Sequence, residues 1–303
     1  METVLKTNNL TKSYGKQKAL DKVSINVNRG AIYGLIGRNG AGKTTLMRMI
    51  SGLASADSGS FELYSKGGSV NSKGIKIGCL IENTGIYPNM TAKDNLELKA
   101  FAFGIKEKGE IKRILKMVGL EDVGRKKVKN FSMGMKQRLG IGLAMVGSPK
   151  IIILDEPING LDPQGIVEVR DIIKKLNEEL GITFIISSHI LEELSKIATN
   201  FGIIDQGMLL TEITKEELMT KNREHIELTT PDSKVSETIL NELEIEDYEI
   251  ISDSTIRIFG AMNRTGDIAL ALAKKEIPIE YLTVNKNSLE DYYLKLTGYS
   301  KAN

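Results

Sequence analysis

Eight residues constrain this chain more than any others: Gly37-Arg38-Asn39-Gly40-Ala41-Gly42-Lys43-Thr44, a G-x-x-x-x-G-K-T pattern. They follow the apolar, β-branched run Ala31 to Ile36 and precede a helix-forming stretch, Thr45 to Ile50. Strand, glycine-rich turn and helix in that order is the context in which the pattern makes a phosphate-binding loop. The glycines let successive backbone N–H groups turn inward as an anion nest, and the helix N-terminus adds its positive dipole end. Lys43 is expected to neutralise β- and γ-phosphate charge, and the Thr44 hydroxyl to bind Mg²⁺. Gly37 through Thr45 are therefore candidate nucleotide-binding residues. Arg38 is the open position among them, its guanidinium facing either phosphate or solvent.

Such a loop belongs in an α/β domain, and the surrounding pattern agrees. Ile151 to Leu154, Ile182 to Ile186 and Phe201 to Ile204 read as further buried strands, alternating with helical segments as a largely parallel sheet requires. Ile166, Val169, Ile172, Ile173, Leu176 and Leu180 recur at helical spacing and predict an amphipathic helix packed on that sheet. A helix-rich stretch from about residue 84 to 147 interrupts the alternation and reads as an inserted helical subdomain. It opens on Thr91-Ala92-Lys93-Asp94, a capping-box pattern, before an apolar run through Leu96, Leu98, Phe101 and Phe103. The ATPase-type domain is drawn as residues 1–222. Residues 223–303 read as βαββαβ, a small ferredoxin-like α+β domain. Ser288-Leu289-Glu290-Asp291 is expected to open a closing helix. No ligand constellation is visible in this second domain, and His225 has no context that gives it a role.

The second half of a nucleotide site is Ile151-Ile152-Ile153-Leu154-Asp155-Glu156-Pro157, an apolar strand that ends in two carboxylates. Asp155 at the strand tip is expected to hold Mg²⁺ through water, and Glu156 to polarise the attacking water.

The remaining composition mostly excludes. Forty-one basic against thirty-nine acidic residues leave a formal charge of +2, no electrostatic argument for nucleic acid or a bare anionic membrane. Arg125-Lys126-Lys127-Val128-Lys129 is short, lacks aromatics and reads as a solvated loop. A single cysteine, Cys79, rules out an intramolecular disulfide and fits a reducing compartment. No run approaches the roughly 18 apolar residues that a spanning helix needs, and no signal segment is seen. If this chain works at a membrane, another polypeptide crosses it.

These ordered motifs, over about residues 3 to 220, resemble the ATP-binding cassette family. The resemblance implies ATP and Mg²⁺ as ligands, ATP hydrolysis coupled to transport, and a place at the cytoplasmic face of a membrane through a permease subunit. It identifies Phe131-Ser132-Met133-Gly134-Met135-Lys136-Gln137-Arg138 with the family signature. In that family two cassettes pack head to tail, so Ser132, Met133 and Gly134 would touch ATP held by a second cassette, identical or not. Asn159-Gly160-Leu161-Asp162 resembles the loop that communicates across the dimer, with Asp162 also a helix N-cap before Pro163. His189 is similar to the switch histidine that contacts the γ-phosphate, and Tyr14 to the aromatic that stacks on adenine.

One position departs. Leu80-Ile81-Glu82-Asn83 places glutamate where the family usually has a glutamine reaching Mg²⁺ and the attacking water. Both side chains offer an oxygen; glutamate cannot donate a hydrogen bond and adds charge near phosphates. Glu82, the Met133 and Met135 form of the signature, and the appended domain resemble the bacitracin-resistance and lantibiotic-immunity branch. That likeness implies export of a peptide antibiotic, with Gly85-Ile86-Tyr87-Pro88-Asn89-Met90-Thr91 as the permease contact region. The competing readings are an importer subunit whose C-terminal domain senses substrate, a cassette of DNA repair or ribosome function, and a cassette that binds ATP without hydrolysis.

Overall fold

The computed structural model describes residues 2–64, 76–82, 85–105, 109–285 and 289–298. Asn83, Thr84 and Ser288, named above in the glutamate loop, at the subdomain start and at the last helix, lie outside the described residues. The chain divides into two compact units, Met1–Lys215 and Glu216–Asn303, whereas the sequence drew its boundary at residue 222.

In the first unit the order is β1 (Thr3–Tyr14), β2 (Gln17–Val23), β3 (Asn26–Asn28), β4 (Ile32–Ile36), α1 (Lys43–Ile50), β5 (Ser58–Leu63) and β6 (Ile77–Leu80). The helical subdomain follows with α2 (Ala92–Ala102), α3 (Glu110–Met117) and α4 (Met133–Met145). Then come β7 (Ile151–Leu154), α5 (Pro163–Leu180), β8 (Thr183–Ser188), α6 (Leu191–Ser195), β9 (Asn200–Asp205) and β10 (Met208–Thr214). Six strands form one sheet in the order β10-β9-β4-β8-β7-β6, parallel except for the β10 edge. Its central strands are buried on both faces, which is why β4 and β7 read as unbroken apolar runs.

A second, antiparallel sheet, in which β1 pairs with β2, β3 and β5, was not read from the sequence. Register shifts interrupt the pairing of β1, so its apolar residues follow no regular alternation, and the buried side chains of this sheet, Val4, Leu5, Leu10, Leu20, Val23 and Val27, join Leu46 and Met47 of α1 in one core. That packing fixes α1, and with it the loop that α1 terminates.

The capping box at Thr91 forms: its hydroxyl accepts from Asp94 N at 3.1 Å and Asp94 Oδ2 accepts from Thr91 N at 3.0 Å. The apolar run behind it is not a core stripe, however. Leu96 is fully buried, but Leu98, Phe101 and Phe103 are 37%, 84% and 62% exposed. Cys79 on β6 is a free, half-buried thiol, and burial pushes its pKa up, away from reactivity.

The second unit contains α7 (Lys215–Lys221), β11 (His225–Thr229), α8 (Ser233–Glu242), β12 (Tyr248–Ile250), β13 (Thr255–Phe259), α9 (Thr265–Lys274), β14 (Tyr281–Asn285) and α10 (Leu289–Thr297). Its strands pair antiparallel in the order β12-β13-β11-β14, the arrangement of a βαββαβ ferredoxin-like unit. Ile226, Leu228, Ile256 and Ile258 pack on Ile239, Leu240, Ile268 and Leu272 of its helices. The last strand sits later than the apolar run Ile279 to Leu282 suggests, because the register on β11 pairs Tyr281 with Thr229 and Asn285 with His225.

Candidate active site

Parallel strands place their C-terminal ends on one edge, and ligands in open α/β sheets gather there. Here Ile36 is level with Ser188, Leu154 with Ile186, and Leu80 with Leu154. The residues that follow these ends, Gly37, His189, Asp155 and Glu82, are therefore brought to a single edge although their motifs are far apart in sequence. Gly37 N donates to Ser188 O at 3.3 Å, and Asp155 N to Leu80 O at 2.9 Å, tying the four ends together.

The loop between β4 and α1 is held from below. Gly42, the N-cap of α1, has φ +106°, and a Cβ there would lie 2.5 Å from Ala19 O. At Gly37 a Cβ would sit 2.4 Å from Ile204 O. Ala41 is buried and its carbonyl accepts from Gly207 N at 3.0 Å, while Arg38, Asn39 and Gly40 are exposed. A cavity of about 250 Å³ lies over the loop, lined by Tyr14, Gln17, Ala19, Arg38, Asn39, Gly40, Gly42, Lys43, Thr44, Thr45 and Glu156. Tyr14, at the end of β1, is half exposed. Gln17 and Ala19 went unnoticed in the sequence, since they enter from β2 of the sheet that the pattern did not reveal.

The polar network is continuous. Lys43 is 5% exposed; its ammonium donates to Gly37 O at 2.5 Å and Arg38 O at 3.2 Å, and stands 3.1 Å from Glu156 Oε1. Glu156 Oε1 is buried and accepts no hydrogen bond, so that close approach is one of charge rather than of good hydrogen-bond geometry. Glu156 Oε2 is 2.9 Å from His189 Nδ1. Glu156 itself adopts φ +48°, a left-handed backbone that a non-glycine residue holds at a cost of order 1–3 kcal/mol and that concentrates at functional sites. Its N–H donates to Ser187 Oγ at 2.8 Å, and Ser187 Oγ donates in turn to Asp155 Oδ1 at 2.5 Å. Ser187 is thus the hydroxyl that locks the two carboxylates in place. It was visible in Ser187-Ser188-His189, but nothing in a single sequence distinguishes it from Ser188.

Thr44 Oγ1 donates to Asp155 Oδ2 at 2.7 Å. A hydroxyl and a carboxylate oxygen so close are hard donors of the type Mg²⁺ takes, and among the described residues no three or more His, Cys, Asp or Glu are placed to hold a metal ion by themselves. That donor set suits a magnesium ion shared with phosphates and water, not a protein cage. Glu82 also has a left-handed backbone, φ +55°, and its carboxylate pairs with the Arg48 guanidinium on α1. Arg48 had no assigned role in the sequence; the pairing becomes visible once β6 and α1 are placed side by side.

The signature residues do not line this cavity. Ser132 caps α4, its Oγ accepting from Met135 N at 3.2 Å. Ser132 and Met133 are exposed, and the Met133 side chain lies so near Gly160 that a Cβ there would be 3.0 Å from Cε. Asp162 caps α5, its Oδ1 accepting from Gly165 N at 3.2 Å with Pro163 at the first helical position. Signature and Asn159-to-Asp162 loop therefore meet on one surface, and neither lines the cavity over the chain's own phosphate loop.

A glycine-rich loop opening a helix beside a strand-end carboxylate pair, on a central parallel strand, defines a phosphate-loop nucleoside triphosphatase. A family model described as ABC transporter matches residues 20–159. The bacitracin transport ATP-binding protein BcrA of Bacillus licheniformis is 42% identical over 301 residues, covering 98% of each chain. The lantibiotic transport ATP-binding protein SrtF of Streptococcus pyogenes is 45% identical over 210 residues, 69% of this chain and 90% of its own. Among solved structures, the ADP conformation of an ATP-binding cassette of an ABC transporter matches with a TM-score of 0.63 at 27% identity, covering 72% of this chain and 93% of that one. The chain belongs to the ABC transporter family, as an ATP-binding and ATP-hydrolysing subunit. The match to BcrA runs through the C-terminal unit as well. No helix among the described residues is long and apolar enough to cross a membrane.

Proposed function

We propose that this ATPase drives export of a membrane-active peptide antibiotic of the bacitracin or lantibiotic type, at the cytoplasmic face of a membrane whose permease is a separate subunit. The observation that carries the reading is the whole-length similarity to BcrA, joined by glutamate at position 82. Exposed Tyr87, Leu98, Phe101 and Phe103, at the start of the helical subdomain, supply the apolar surface that a permease would cover.

The contacts support the following catalytic roles. Tyr14 stacks on adenine, and Gly37 through Thr45 cradle the phosphates with backbone N–H groups and the Lys43 ammonium. Thr44, Asp155 and, once released from Arg48, Glu82 would hold Mg²⁺, which when bound spreads the charge developing on the phosphates. As Lys43 turns to phosphate oxygen, Glu156 is left to accept the proton of the attacking water, with His189 steering its carboxylate. Ser132, Met133 and Gly134 complete the site of a second cassette, and Asp162 carries the state of one site to the other. In support, the signature surface does not line the cavity over the chain's own loop, and a related ATP-binding cassette with ADP and phosphate bound is dimeric at a TM-score of 0.60.

The test is a susceptibility assay. Cells that express the chain with its permease should tolerate bacitracin or a lantibiotic better than cells carrying Glu156→Gln. Equal sensitivity to every peptide antibiotic tried would remove the export reading and leave the ATPase standing.

A further inference from the structure

The C-terminal unit holds a cavity for which the ATP chemistry has no use. Alternation along β11 and β13 sends Ile226, Leu228, Ile256 and Ile258 into the core, so His225, Glu227, Arg257 and Phe259 stand on the opposite face of the sheet. The register sets His225 between Phe259 and Asn285, and Arg257 between Glu227 and Glu249. Thr220 and Lys221 of α7, Arg223 of the connector and Lys295 of α10 complete the lining. The cavity measures about 380 Å³, larger than the 250 Å³ over the phosphate loop. It falls within the roughly 300–1,000 Å³ that small-molecule sites occupy.

The charges decide what fits. The acids of the lining are Glu227 and Glu249, and its cations are Lys221, Arg223, Arg257 and Lys295. Arg257 Nε faces Glu227 Oε2 at 3.8 Å, and Arg223 pairs with Asp247 while lying 4.3 Å over the Phe259 ring. The ammonium groups of Lys221 and Lys295 have no partner among the described residues. The His225 side chain is 8% exposed. Its Nδ1 lies 3.1 Å from the Arg223 carbonyl, which can only accept, so Nδ1 carries a proton. His225 Nε2, 3.5 Å from Asn285 Nδ2, holds that amide in place on the cavity floor. The Thr220 hydroxyl already donates to Glu216 O at 2.9 Å, so the donors left are two ammonium groups without a partner among the described residues and the Asn285 amide, and oxyanions satisfy such a set.

We propose that this cavity binds a small, multiply charged oxyanion, a phosphate- or polycarboxylate-bearing molecule, as a ligand site separate from the ATP site. Lys221 and Lys295 supply the charge, Asn285 a neutral hydrogen bond, and Phe259 with Arg223 a flat wall. The site is a binding site, with no bond made or broken.

Calorimetry on the full chain tests this, with the phosphate loop saturated by ADP and free Mg²⁺ removed. Inorganic pyrophosphate and citrate are titrated separately. At least one should bind at a single site, tenfold or more weakly in Lys221→Gln/Lys295→Gln, two exposed positions whose change spares the core. Pyrophosphate alone would assign a phosphate-bearing ligand, and citrate alone a polycarboxylate. His225→Gln, read out the same way, should weaken binding severalfold by freeing Asn285. The proposal fails if neither probe binds, if binding is undiminished in the lysine double variant, or if it is lost in Lys43→Ala while surviving in the double variant. ADP binding, measured by a separate titration of the same variants, reports on the phosphate loop independently, so the ATP-site reading and this one can fail separately.

Discussion

The phosphate loop and the C-terminal cavity are both polar pockets lined by lysine, arginine, glutamate, an aromatic ring and a hydroxyl. The first is written almost entirely in one contiguous segment, with its glycines, lysine and threonine at fixed offsets because one turn of backbone must wrap one phosphate chain. The second takes one or two residues from each of α7, β11, β12, β13, β14 and α10, with Arg223 from the connector, and its residues are spread over 76 positions of the chain, from Thr220 to Lys295. A site that depends on backbone conformation leaves a local pattern in sequence. One that depends on which faces a sheet turns outward leaves none until strand order and register are known.

The same contrast runs inside the ATP site. Gly37 to Thr45, Asp155, Glu156 and His189 were legible because each ends a recognisable strand. Gln17, Ala19, Ser187 and Arg48 were not, since their roles arise from tertiary contacts: β2 beneath the loop, β8 beside β7, and α1 beside β6. In the fold, the parallel sheet was legible from its β-branched runs, whereas the antiparallel sheet of β1, β2, β3 and β5 was hidden because register shifts along β1 break the alternation that marks a half-buried strand. Leu98, Phe101 and Phe103 are exposed, so the apolar residues along α2 and at its C-cap serve a surface more than a core.

Variants can break or sharpen the contrast between the two pockets. The largest effect is expected from Lys43→Ala, which removes the charge facing phosphate and leaves Glu156 Oε1 buried and unpaired. A hydrogen bond between charged groups is worth about 1.5–3 kcal/mol, so ATP affinity should fall about tenfold to a hundredfold. Equilibrium binding of a fluorescent ATP analogue would show this, with anion binding in the C-terminal cavity unchanged. Tyr14→Ala should weaken ATP about tenfold, in keeping with about 1–3 kcal/mol for stacking on a base, and leave pyrophosphate affinity alone. Loss of both together would mean that the ring packs the loop instead of the adenine.

Arg48→Gln tests a feature that is local to neither motif. With Glu82 present and Mg²⁺ removed, an uncompensated carboxylate beside the phosphates should weaken ATP about fivefold; with Glu82→Gln in the background, the same change should have almost no effect. Equal losses in both backgrounds would reduce Arg48 to a helix residue without bearing on Glu82. The smallest effect concerns Ser132. Ser132→Ala should cost about 1 kcal/mol of stability through its lost cap, seen as a lower denaturation midpoint. Ser132→Asp keeps a capping oxygen but opposes phosphate, so it should restore the midpoint without restoring turnover. Full turnover in Ser132→Asp would confine the residue to capping.

Central to the account is that one carboxylate, held at φ +48° between Lys43 and His189, performs the proton transfer of ATP hydrolysis. Steady-state phosphate release by Glu156→Gln, measured beside the wild type together with its permease, tests it most directly. The account predicts turnover at or below about a hundredth of wild type, from the 10²–10⁴-fold worth of a general base, with ATP affinity retained. Turnover that persists while ATP still binds would contradict it.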